Sequence, residues 1–91
     1  MEQKFLEALA ASQAKATALG VRIRPITQFS QVLKCLDGHR ESDGFWDLSQ
    51  QGRLDLSLEA LSIKKQFASL FTDEQANTAL ERLLNAGYTF I

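Results

Sequence analysis

Between Thr72 and Gly87 the sequence spells out one helix with both of its ends, and that helix constrains everything else. Thr72 and Gln75 stand at the spacing of a capping box, in which each side chain satisfies a backbone amide that the first turn leaves free. Asp73 and Glu74 then sit at the positive end of the helix dipole. Phe71 and Ala76 occupy the two staple positions around the cap. Ala76, Ala79, Leu80, Leu83 and Leu84 recur at helical period and form one apolar stripe. Gly87 fits the left-handed residue that closes a helix, which sets Tyr88 against Leu83. Such a helix must bury its stripe against another element.

Residues 1–71 offer more of the same. Glu2 to Leu19 reads as a helix with Phe5, Leu6, Leu9, Ala16 and Leu19 on one side, rich in alanine and stopped by Gly20. Thr27 stands where an N-cap is expected, and Phe29, Val32, Leu33 and Leu36 follow at i, i+3, i+4 and i+7, ended by Gly38. After the polar loop His39–Gly44, Ser42 or Asp43 can cap a short helix holding Phe45, Trp46 and Leu48, stopped by Gly52. Residues 53–58 alternate Leu54, Leu56 and Leu58 with Asp55 and Ser57. That pattern suits either a brief strand or an extended lead-in to a helix capped by Asp55 or Ser57, and the second is preferred. The helix that follows would use Ala60, Ile63, Phe67, Leu70 and Phe71, with Ser62 and Lys64–Lys65 as a break.

Only Val21–Ile26 changes period. Val21 and Ile23 alternate with Arg22 and Arg24, and Pro25 confines Arg24 to extended geometry. The apolar tail Tyr88–Ile91 is the natural partner for such a stretch. The expected fold is therefore a mostly α, single-domain bundle over residues 1–91, with four or five short helices. It leaves room for a minor two-stranded pairing of residues 21–24 with 88–91. All the helices read as amphipathic, and the expected core is Phe29, Leu33, Leu36, Phe67, Leu70, Leu80, Leu83 and Leu84.

Composition removes whole function classes. With 91 residues, one cysteine and one histidine, neither a disulfide framework nor a zinc site is expected. No run of about 18 apolar residues exists to span a bilayer. The N-terminus, broken by Glu2, Lys4 and Glu7, does not read as a signal peptide. A cytoplasmic location is the expectation for a chain with a single cysteine. Ten Lys and Arg against eleven Asp and Glu leave a net charge of -1, which disfavours a strongly basic nucleic-acid binder. Asp55-Leu56-Ser57 departs from the contiguous Asp-Ser-Leu of an acyl carrier attachment site. The Thr72 helix carries Asp73, Glu74 and Glu81 against Arg82, unlike a helix that reads DNA in a winged helix-turn-helix. No family is assigned.

Candidate chemistry is sparse. Cys35 and His39 are four apart, as a nucleophile and base would be on a continuous helix, but Gly38 intervenes and Cys35 borders the apolar stripe. Asp43 and Asp47 share that spacing, yet a helix cap and a solvated face account for them. No Gly-rich phosphate loop or nucleophile elbow is present. The chain is expected to be no enzyme and to need no cofactor or metal.

Charge is nonetheless polarised. Residues 21–40 hold Arg22, Arg24, Lys34 and Arg40 against Asp37 alone, a net of +3. Arg22, Arg24, Lys34, His39 and Arg40 are the candidate binding residues, and Phe45 and Trp46 the candidate interface pair, since Trp is favoured at interfaces. The expected function is a protein-binding or regulatory module, acting on another protein or on itself as a homodimer. The alternative is a small DNA-binding regulator that uses the basic segment 21–40.

Overall fold

The structure, a computed structural model, describes residues 1–38 and 40–88. Its described residues form five α-helices and two 3₁₀ helices, in a mostly helical fold without strands. The α-helices are α1 (Glu2–Ala18), α2 (Phe29–Asp37), α3 (Phe45–Gln50), α4 (Leu58–Ser62) and α5 (Asp73–Asn85). The 3₁₀ helices, Leu54–Leu56 and Lys65–Leu70, flank α4. Among the described residues no helix is long and apolar enough to cross a membrane.

The last helix forms as its sequence dictates. Thr72 Oγ1 accepts from the Gln75 amide at 3.1 Å, and Gln75 Oε1 accepts from the Thr72 amide at 3.0 Å. At the other end Gly87 takes φ 79°, and the Tyr88 amide reaches back to the Leu83 carbonyl at 3.0 Å. Only a residue without a Cβ takes that turn without strain.

Other caps differ from expectation. The N-cap of α2 is Gln28, not Thr27, because the Gln31 side chain accepts from both the Thr27 amide (3.0 Å) and the Gln28 amide (3.2 Å). The N-cap of α3 is Gly44 rather than Ser42 or Asp43, whose side chains are engaged elsewhere. Gly44 is required twice over. Its φ is 76°, and a Cβ there would lie 2.6 Å from Val21 Cγ1 and 2.8 Å from Ile23 Cγ1. Residues 53–58 resolve as a 3₁₀ turn followed by a Ser57 cap, whose hydroxyl accepts from the Ala60 amide at 3.1 Å.

The expected sheet is absent from the described residues. Residues 21–27 carry no regular secondary structure, although Val21 is buried and Arg22 and Arg24 are exposed as their alternation implies. Side chains hold the segment where a ladder would have. Gln13 of α1 donates to the Arg24 carbonyl (3.5 Å) and accepts from the Ile26 amide (3.4 Å), while Asp43 accepts from the Arg24 amide (3.4 Å). Residues 89–91 of the expected pairing lie outside the described residues.

The helices do not all present one face to a shared core. All five residues of α4 are buried, including Glu59 and Ser62, so α4 is an axis around which the rest is arranged. This corrects the expectation that every helix is amphipathic. On one side Phe5, Leu9, Val32, Leu36, Leu58, Leu61, Phe67 and Ala79 pack together. Phe5 stands edge-on to Phe29, Phe67 and Phe71, with centroids 5.1–5.7 Å apart, which ties α1 to α2 and to the approach to α5. On the other side Ala16, Val21, Phe45, Leu48, Leu54, Leu56, Ala60 and Leu83 form a second cluster, against which Tyr88 packs. Of the expected core, Leu36, Phe67 and Leu83 are buried, and Phe29, Leu33, Leu70 and Leu80 are half-buried. Leu84 is 55% exposed, because the inward face of α5 runs through Ala79, Arg82 and Leu83.

Candidate functional site

The exchange of Leu84 for Arg82 has a chemical cause. Glu59, the second residue of α4, is fully buried, and a buried carboxylate needs a counter-charge and donors. Arg82 Nη1 donates to Glu59 Oε2 at 3.2 Å. The Ser42 amide donates to the same oxygen at 2.8 Å, and the Ser42 hydroxyl donates to Oε1. Arg82 Nη2 donates to the carbonyls of Cys35 (3.1 Å) and Gly38 (3.0 Å), which the end of α2 leaves without helical partners. One ion pair thus fastens α4, α5, the C-terminus of α2 and the loop after it. Among the described residues no buried side-chain nitrogen or oxygen lacks a hydrogen-bond partner.

Cys35, Gly38 and Ser42, which the clamp holds, line a groove of about 490 Å³. Leu9 and Gln13 of α1 line one side, and Gln31, Lys34 and Cys35 of α2 another. The segment Ile23–Ile26 supplies a wall held in place by Gln13. Residues 40–43 supply a lip joined to that wall through Asp43 and Arg24, and Leu56, Ser57 and Leu58 line the groove as buried residues. The groove therefore joins an apolar interior to a charged rim, and its volume lies in the range that holds a small ligand or a few side chains of a larger one.

Three of the five binding residues expected from sequence, Arg24, Lys34 and Arg40, come together on this groove, although they span three separate segments. Arg22 is exposed but does not line it, and His39 lies outside the described residues. Arg24 meets Asp43 at 4.0 Å in a solvent-exposed pair. Neither Lys34 nor Arg40 makes an ion pair among the described residues.

The remaining candidates separate. Phe45 is buried, whereas Trp46 is 51% exposed with its ring tilted against Phe45 at 5.3 Å, and neither lines the groove. Asp43 lies before α3 and Asp47 within it, so no single helix face carries both. Cys35 is a free, half-buried thiol on the groove wall. Burial pushes its pKa up, helped by the Glu59 carboxylate and opposed by Arg82. A thiol held in its neutral form is a poor nucleophile.

Sequence reasoning missed Glu59 and Arg82. Their signal was present in outline: Glu59 interrupts the run Leu58–Leu61, and Arg82 follows Ala79 by three and precedes Leu83. A charge inside an apolar run on one helix and another on the apolar side of a second helix is the pattern of a buried pair.

Fold and site together define a small all-α domain with a cation-rimmed groove. Compared with known protein families, curated proteins and solved structures, the chain matches none.

Proposed function

We propose that this chain is a protein-binding module without catalytic activity of its own, which works in a reducing compartment by taking a segment of a partner protein into the groove. The observation that carries this reading is the convergence of Arg24, Lys34 and Arg40 on one concavity that Leu56 and Leu58 also line. Apolar surface supplies affinity and rim charges supply orientation, which is how protein interfaces divide the work. The DNA-binding alternative has less support, since a phosphate backbone would use only the rim cations and leave the buried Leu56 and Leu58 unmatched, on a chain whose net charge is -1. Self-association is the other use of protein contacts. The half-exposed Trp46 and the exposed Ala10, Ala11, Ala14 and Ala18 of α1 are the surfaces for a homodimer.

Panning a displayed random-peptide library on the 91-residue chain tests the groove. Selected peptides should slow the alkylation of Cys35, the chain's single thiol. Failure to select binders, or binders that leave Cys35 as reactive as before, would refute it. Sedimentation at about 100 μM tests the homodimer, because association makes the apparent mass depend on concentration.

A further inference from the structure

We infer that the groove's occupant is an acidic, amphipathic peptide segment of a partner protein, with carboxylates at Lys34 and Arg40 and apolar side chains over Leu56 and Leu58. This inference rests on the groove reading above and assigns its ligand chemistry.

The charge count around the groove decides the sign. Asp43 is engaged by Arg24, through the 4.0 Å ion pair and the Arg24 amide. Glu59, which does not line the groove, is neutralised by Arg82. The carbonyls at the end of α2 would repel an anion, but Arg82 occupies those of Cys35 and Gly38. What remains on the rim is Lys34 and Arg40 against Glu41, an uncompensated positive charge on a chain whose net charge is -1. A carboxylate placed there gains charge-assisted hydrogen bonds that neither cation makes within the protein's described residues.

The arrangement of the rim decides between a peptide and a lipid-like acid. Gln13, Ser42 and Ser57, which share the lining with the leucines and isoleucines, are already hydrogen-bonded within the protein and demand nothing of the occupant. Lys34 on α2 and Arg40 on the loop after it are two cations on separate segments. A lipid-like acid brings one carboxylate to them, whereas a peptide can bring one to each.

The probe is a short fluorescein-labelled peptide in which Asp and Glu alternate with Leu and Phe. Its controls carry Lys in place of the acids, or Ser in place of the apolar residues. Fluorescence anisotropy measures affinity, and protection of Cys35 from iodoacetamide reports where binding occurs. The acidic amphipathic peptide should bind, protect Cys35, and bind roughly tenfold more weakly to the Lys34→Gln/Arg40→Gln variant, since two exposed charges are removed. Both side chains are free of ion pairs among the described residues, so this variant should keep the far-ultraviolet circular dichroism of the parent. Equal binding of the Ser control, or unchanged affinity of the variant, would overturn the inference. If only the Lys peptide protects Cys35, the groove reading stands and the acidic class falls. If no peptide protects Cys35, both fall. Binding of a DNA duplex in place of the peptides, lost in the same variant, would overturn the inference in favour of nucleic acid.

Discussion

Replacing Glu59 by alanine tests the reasoning at its most exposed point, because the whole arrangement of α2, α4 and α5 is argued from one buried carboxylate. The substitution strips the acceptor from three donors at once: Arg82 Nη1, the Ser42 amide and the Ser42 hydroxyl. It leaves a guanidinium that is 9% exposed without its counter-ion. Breaking a buried pair from one side costs about 3–5 kcal/mol, because the surviving charge stays desolvated. Small domains are stable by only about 5–15 kcal/mol, so a large part of the total would go. Glu59→Gln keeps the shape and one acceptor oxygen but surrenders the charge, and should cost less, about 1.5–3 kcal/mol. Urea unfolding followed at once by circular dichroism and by Trp46 fluorescence measures both. A cycle completed with Arg82→Met and the double variant isolates the coupling, and the double variant should be more stable than the two single losses predict. A loss below about 1 kcal/mol for Glu59→Ala would mean that water reaches the pair, and the account of why Arg82 faces inward would fail.

Gly44→Ala should cost about 2–4 kcal/mol in the same unfolding assay, from the left-handed backbone and the overlap with Val21 and Ile23 together. Leu83→Ala should cost about 2–5 kcal/mol, and its neighbour Leu84→Ala within about 0.5 kcal/mol of nothing, since the first is buried and the second mostly exposed. Equal costs would mean that α5 is rotated. Cys35 should react with iodoacetamide more slowly than a free thiol at neutral pH, and its rate should go on rising with pH beyond the ordinary thiol range. Because the folded state holds that proton more tightly, Cys35's contribution to stability is complete below the unfolded thiol's pKa and is lost as pH rises above it, which a pH series of urea midpoints would detect against Cys35→Ala.

The helices were legible because their signals are local. The Thr72–Gln75 box, the Gly87 stop and the stripe through Val32 and Leu36 act within one or two turns, so no distant residue has to be known to read them. The basic character of residues 21–40 was legible for the same reason. Which way each stripe turns was not. Leu84 and Arg82 are two positions apart, and propensity and period both favour the leucine for the interior. The buried Glu59, which lies 23 residues earlier in the chain, draws the arginine inward instead. Likewise Ser42 and Asp43 are good caps by residue type, but Glu59 and Arg24 engage them, and a glycine with no side chain starts α3. The same long-range bonding decides the groove. Arg24, Lys34 and Arg40 lie on three segments, and Gln13 and Asp43 hold the extended wall between α1 and the loop. Local chemistry thus determined where helices start and stop. Tertiary contacts decided which side of each helix is inside and which charges share a surface, because desolvating a charge is settled only when every group that will surround it is in place.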